Sequence, residues 1–167
     1  MKKILVYYSL GGNTRAVAKK IASKLKIKAV ELKTLKAYPD DVDVLQSLAK
    51  KQTEIGVMPQ IAPIKVDFSQ YDAIVLGMPI WWRTFAPAVK TFLKSVDWKG
   101  KNLYPFATNE GKLGHVVSDL KKAVRGGMVC PILGVEFDEE GNQLTSASEI
   151  NNWVASVEED GYDEEDE

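Results

Sequence analysis

The chain has 167 residues, 45% of them hydrophobic, which fits one domain with a sizeable core rather than two. Its one cysteine, Cys130, excludes an intrachain disulfide, a paired-thiol redox motif and a cysteine-built zinc or iron–sulfur centre, so a reducing, cytoplasmic setting is expected. The net charge of −1 hides an asymmetry: the last ten residues, EEDGYDEEDE, hold eight of the 23 acids and no base, leaving 22 basic against 15 acidic residues, a formal +7, in residues 1–157.

The expected organisation is therefore a folded domain over residues 1–157 and an acidic tail over 158–167. The tail reads as a solvated end that aids solubility, or as a competitor of an acidic partner for the basic body, weakened by salt. The lysines are spread evenly and no recognition motif accompanies them, so nucleic acid is not an expected partner. A membrane is not expected either. Lys2 and Lys3 before an apolar stretch mimic a signal peptide, but Gly11, Gly12 and Asn13 break the run, and no other stretch is long enough to span a bilayer.

In chain order, residues 3–8 predict a strand buried on both faces, as in a parallel sheet. A helix follows from about Asn13, with Val17, Ile21 and Leu25 inward and Ala18 and Ala22 in support. A second strand is expected near residues 28–32, then a partly regular segment in which a short helix after Pro39 turns Val42, Leu45, Leu48 and Ala49 inward. Prolines make residues 58–63 an extended loop. Ile74, Val75 and Leu76 form the clearest buried strand, which Gly77 and Pro79 are expected to stop. A helix over 87–95 and a strand over 102–107 come next, with Pro105 removing a ladder donor from the latter. Leu113, Val117, Leu120 and Val124 predict a helix closed by Gly126 and Gly127. A fifth strand over 129–135 leads through a turn at DEEGN to a last helix on Ile150, Trp153, Val154 and Val157. This alternation argues for a three-layer α/β sandwich with a mostly parallel sheet.

Ligands of such sheets bind beyond the carboxyl ends of the strands, where three loops gather: residues 9–14, 77–86 and 107–115. In the first, SLGGNT, Gly11 and Gly12 permit positive φ, Ser9, Asn13 and Thr14 offer short polar groups, and the helix start favours an anion. Turn and capping chemistry alone would also account for it. Neither a nucleotide P-loop ending nor a GxGxxG fingerprint is present. In the second loop, GMPIWWRTFAP, Trp81 and Trp82 are adjacent and must face different ways, so at least one is exposed or covers something flat. The alternative is one ring capping the core and the other making a surface or dimer contact. A phosphoacceptor site would need aspartates at the first strand's end, and YYSL has none.

Three stretches, ILVYYSLGGNTRAVAKKIA, YDAIVLGMPIWWRTFAPAVKTFL and GKNLYPFATNEGKLG, together resemble the flavodoxin family, especially its bacterial short flavodoxin-like branch, over most of residues 3–127. The resemblance implies a flavodoxin-like three-layer sandwich, a five-stranded doubly wound parallel sheet holding flavin mononucleotide (FMN) non-covalently. It implies that Ser9, Gly11, Gly12, Asn13 and Thr14 grip the phosphate and that Pro79, Ile80, Trp81 and Trp82 cover one face of the isoalloxazine. Residues 108–114, with Thr108, Asn109, Glu110, Gly111 and Gly114 among them, would line its pyrimidine edge with backbone groups.

Three residues depart from the family pattern. Gly11 stands where a Thr or Ser is usual, removing a phosphate donor. Arg83 follows the tryptophans where Gly is common, offering a cation to reduced flavin or to a phosphate-bearing second substrate, while Glu110 replaces a small residue and pulls the other way. Alternatively the two are solvent-facing and paired with each other. The sole histidine, His115, is expected as a helix-start residue or as a proton donor to the flavin; Cys130, Trp98 and Trp153 read as core. No catalytic residue is assigned.

Three functional expectations remain. The first is an FMN-binding electron-transfer protein serving a redox partner protein; the second is an NAD(P)H-dependent FMN oxidoreductase acting on quinones or other small electrophiles. The third is a flavin-free binding module. The resemblance implies an acidic docking side for a carrier, which the basic body opposes. The short chain, without a lid or dimerisation insert, opposes the reductase.

Overall fold

Ile4, Leu5 and Val6 are buried on both sides of the first strand, β1 (Lys3–Tyr7), which lies in the middle of a sheet, as their unbroken apolar run requires. In the computed structural model, which describes residues 1–159, β1 pairs in parallel with β2 (Ala29–Glu31) on one side and with β3 (Ala73–Trp81) on the other. Beyond β3 lies β5 (Asn102–Asn109), and beyond that an outer strand in two pieces, β6 (Met128–Val129) and β7 (Leu133–Glu136). The strand order β2-β1-β3-β5-β6 reverses between β1 and β3. Their carboxyl ends therefore open the crevice where doubly wound sheets hold ligands.

Helices cover both faces. α1 (Asn13–Leu25) and α5 (Ala147–Glu159) pack Val17, Ile21, Ile150, Trp153 and Val157 onto one, against Leu5, Val75 and Phe106. α3 (Pro87–Ser95) and α4 (Val116–Ala123) pack Val89, Phe92, Val116 and Leu120 onto the other, against Ile4, Ile74 and Leu76. On that side α2 (Val42–Ile55) rests against α3 and β3; the Asp41 carboxylate accepts from the Val44 N–H at 3.0 Å to start it, and Gly56 ends it in the left-handed region. None of the described helices is long and apolar enough to cross a membrane.

Several expectations are corrected. Gly77 and Pro79 do not stop the third strand, which runs on to Trp81. Gly77 is paired on both sides, with Tyr7 and Phe106, and a methyl there would lie 2.2 Å from the Phe106 ring. Its selection is for space. The odd-numbered residues of β3 direct their backbone groups toward β1, as the 3.1 Å bond from Tyr8 N–H to the Gly77 carbonyl shows. Pro79 therefore lacks its donor just where β1 has ended. Pro105 is buried opposite Leu76, and the odd residues of β5 face the outer strand, since the Leu103 carbonyl accepts from Cys130 at 2.8 Å. Its missing N–H meets the gap between β6 and β7, so the ladder loses nothing and the expected fifth strand is split there.

Helix α2 is longer than expected. Its Val42 is exposed; Ala49 is buried, and Leu45 and Leu48 are half-buried. The boundary at residue 157 falls inside α5, which includes Glu158 and Glu159; residues 160–167 of the expected tail lie outside the described residues.

Gly77→Ala must push the Phe106 ring out of a close-packed core. The expected loss is about 1–3 kcal/mol of stability, read as a lower urea midpoint at unchanged slope.

Candidate functional site

The turn between β1 and α1 is built on consecutive left-handed residues, Gly11 at φ 83° and Gly12 at φ 98°. A Cβ at either would touch nothing within 4 Å, so the requirement is conformational, not steric. Gly12 carries no side chain to cap α1. The first helical bond, Ala16 N–H to the Gly12 carbonyl, spans 3.0 Å, and the Arg15 N–H donates to Ser9 Oγ at 3.1 Å. Among the described residues the Gly12, Asn13 and Thr14 N–H groups have no acceptor. Three donors at the positive end of a 13-residue helix stand ready for an anion. Arg15 itself is turned away: its Nε donates to Glu31 Oε1 at 3.1 Å, and that bond raises the guanidinium pKa further.

Two of these donor residues, Asn13 and Thr14, line a cavity of about 750 Å³. Gly11, Asn13 and Thr14 line its floor, and Pro79, Ile80, Trp81 and Trp82 form one wall. Thr108, Asn109, Glu110 and Gly111 form another, tied to the first loop by a buried 2.7 Å bond between the Thr14 and Thr108 hydroxyls. Asn109 Oδ1 accepts from the Gly111 N–H at 2.9 Å, and the Asn109 carbonyl accepts from Phe137 at 2.8 Å, fixing that wall to the end of β7. Of the expected site residues, Ser9, Gly12, Arg83 and Gly114 are not among the lining residues.

Sequence reasoning missed five lining residues, Leu10, Leu45, Gln46, Ala49 and Phe137, while Lys112 falls within the expected stretch 108–114. The helical periodicity of α2 placed Leu45 and Ala49 inward without saying what they face. Nothing in the sequence pointed to Phe137.

The two tryptophans face different ways. Trp81 is held edge-on by Tyr8, with centroids 5.9 Å apart, and by Tyr38, at 5.3 Å. Burial pushes the Tyr8 hydroxyl far above its ordinary pKa, so it stays neutral in this aromatic cluster. Trp82 is 46% exposed, with Lys50 Nζ 5.4 Å over its ring.

Between them the chain folds back unexpectedly. β4 (Thr84–Phe85) pairs antiparallel with the end of β3, Trp81 opposite Thr84 and Ile80 opposite Phe85. The two-residue connection has φ 49° at Trp82 and 72° at Arg83, the backbone of a type I′ hairpin that normally takes Asn-Gly. Bulky residues there are strained, and the third loop holds them in place. The Arg83 carbonyl accepts from the His115 N–H at 2.8 Å, and a Cβ on Gly114 would sit 2.2 Å from that carbonyl oxygen. Asp119 Oδ2 accepts the Thr84 hydroxyl at 2.5 Å and is 2.6 Å from His115 Nδ1. Gly114 and His115 thus seat the hairpin. The expected alternative in which Arg83 pairs with Glu110 does not occur; neither is in an ion pair among the described residues. The described residues hold no cluster suited to a metal ion.

A doubly wound parallel sheet with open helix-start amides and a flat-walled cavity at its switch point defines the class of α/β proteins that hold a phosphate-bearing ligand there. The flavodoxin family model matches residues 2–157, and the chain belongs to that family. Among solved structures, it is similar to a flavoprotein from Lactobacillus acidophilus NCFM in complex with FMN, at 25% identity and TM-score 0.73, covering 91% of this chain and 97% of that one. Flavodoxin 1 from Bacillus cereus is similar in fold, at 16% identity and TM-score 0.58 over 95% of this chain and 96% of that one. So is a flavodoxin from the domain Archaea, at 16% identity and TM-score 0.53 over 93% and 92%.

Arg83→Gly removes a left-handed strain of about 1–2 kcal/mol and adds some unfolded-state entropy, for a net gain of about 0.5–1 kcal/mol. Gly114→Ala forces the hairpin off its seat and should lose about 1–3 kcal/mol. Urea unfolding of both variants, moving in opposite directions, checks the seating.

Proposed function

We propose that the cavity holds FMN non-covalently and that the protein is an electron-transfer flavoprotein. The observation that carries this reading is the set of three acceptor-less N–H groups at the start of α1, two of them on residues that line a cavity of a size that takes such a molecule. Bound FMN would supply reversible one- and two-electron reduction. The residues' own parts are binding and orientation. The amides of Gly12, Asn13 and Thr14 bind the phosphate, and Ser9, by holding the Arg15 N–H, keeps the turn in register. Charge-assisted bonds of this kind contribute about 1.5–3 kcal/mol each, so the hydroxyl lost at Gly11 does not abolish the site. Pro79, Ile80, Trp81 and Trp82 cover a ring face, while Thr108, Asn109, Glu110 and Gly111 meet its polar edge.

The carrier reading is favoured because α2 closes part of the cavity with Leu45 and Ala49. The second reading, an NAD(P)H-dependent oxidoreductase acting on quinones or other small electrophiles, is supported by the exposed Arg83 beside the cavity. Arg83 is not among the residues lining the FMN cavity, which makes this reading the weaker.

FMN added to the purified full chain should give a bound flavin spectrum; a sample that stays colourless at millimolar FMN refutes the site. Anaerobic NADPH or NADH should bleach that spectrum slowly or not at all, whereas prompt bleaching selects the oxidoreductase.

Ser9→Ala should raise the dissociation constant for FMN about 10-fold or more and leave riboflavin, which lacks the phosphate, nearly unchanged. Equal losses for the two ligands would remove Ser9 from the phosphate seat.

A further inference from the structure

On the far side of Trp82 from the cavity lies a second concavity, of about 810 Å³. Its cations come from four elements: Lys50 of α2, Arg83 of the hairpin, Lys90 and Lys94 of α3, and Lys122 and Arg125 in and after α4. Only Glu54 and Asp119 oppose them, so the lining carries a formal +4 with His115 neutral. Both acids are engaged locally: Glu54 lies 4.0 Å from Lys50, and Asp119 is taken by Thr84 and His115. Lys90 caps the Gly56 carbonyl at 3.2 Å. Arg83, Lys94, Lys122 and Arg125 are exposed and make no ion pair among the described residues.

We propose that this groove is the docking surface for an acidic electron-transfer protein, which it would bring against the exposed edge of Trp82. The inference rests on the FMN reading for the meaning of that edge and deepens it by naming the kind of partner. Charge complementarity selects an anionic occupant, and the dispersion of the cations over four elements selects a protein surface over a phosphate group. A bound phosphate needs converging donors, and the helix starts bordering the groove are poorly suited to supply them, since the Val89 and Val116 N–H groups are already bonded to the Ala86 and Leu113 carbonyls. Pro87 opens α3 without an N–H, and the His115 N–H is spent on the Arg83 carbonyl. Scattered lysines and arginines around one exposed aromatic ring instead suit the carboxylates of a docked protein, steering the encounter and fixing its orientation.

The test measures binding of the full chain to an immobilised acidic plant-type [2Fe–2S] ferredoxin at 20 and 300 mM NaCl, with basic cytochrome c as the opposite-sign control. Expected are binding at low salt that weakens at least 10-fold at high salt, and no binding to cytochrome c. The triple variant Lys94→Glu, Lys122→Glu, Arg125→Glu should bind ferredoxin at least 10-fold more weakly at 20 mM NaCl. Its FMN affinity should be unchanged. The corresponding Gln triple variant, closer to the original helix propensities, should lie between it and the unsubstituted chain.

Absence of ferredoxin binding at low salt, equal binding of both probes, or variants that bind as the unsubstituted chain does would overturn the proposal. So would NADPH that displaces ferredoxin and loses affinity in the same variants, which would make the groove a nucleotide site. Because the binding signal needs no flavin, a chain that takes no FMN yet binds ferredoxin sinks the FMN reading alone.

Discussion

A helix that begins without a cap leaves its first donors unsatisfied, and in α1 that deficit is built in. Two glycines in the left-handed region turn the chain from β1 into the helix, and no side chain follows to accept from Gly12, Asn13 or Thr14. An Asp or Ser cap on extended backbone would relieve such a deficit by about 1 kcal/mol, but the left-handed Gly12 backbone does not offer that geometry. Asp41 caps α2 and Asp67 the short 3₁₀ turn, whereas α3 and α4, like α1, begin without a side-chain cap; what sets α1 apart is its paired left-handed glycines and its place at the switch point. The rest of the site follows from where that start lies, at the sheet's switch point, with β3 and β5 supplying the walls on one side.

The hairpin is a second place where local preference is overridden. Trp82 and Arg83 occupy backbone that glycine or asparagine would adopt freely. Such strain persists only where surrounding contacts over-determine it. Here these are the Arg83 carbonyl bonded to His115, the Thr84 hydroxyl bonded to Asp119, and the bare backbone of Gly114 beneath them. The first and third loops are joined separately by Thr14 and Thr108. All three walls are therefore mechanically coupled, and His115 acts through the hairpin seat rather than through the cavity.

Legibility of this structure in the sequence followed the physics of each signal. The buried run Ile74-Val75-Leu76 and the four-residue spacing of Val17 and Ile21 are statements about burial, and both elements formed as read. Gly77, Pro79 and Pro105 misled because residue type announces a backbone preference but not its neighbours. A glycine beneath a phenyl ring and a glycine at a turn look alike, and a proline does no harm where the adjacent strand has ended. The β4 hairpin gave no signal at all, since its turn carries Trp-Arg where Asn-Gly would have declared it. Phe137 reached the cavity through tertiary placement, which one sequence does not encode locally.

Trp82 is the wall that cavity and groove share, and this explains an otherwise odd combination. A large apolar ring left half exposed costs hydration free energy, and its left-handed backbone adds strain. Swinging the indole into the core would relieve the exposure, but the space beside Trp81 is already filled by Tyr8 and Tyr38. With Lys50 lying over its face, the ring stays at the boundary between a flat-walled pocket and a basic surface. A cation there offsets part of the exposure through its attraction to the ring's π face and adds to the positive field of the groove. The geometry holds an aromatic side chain at the one point from which both concavities are reached, a placement that stability alone would not select.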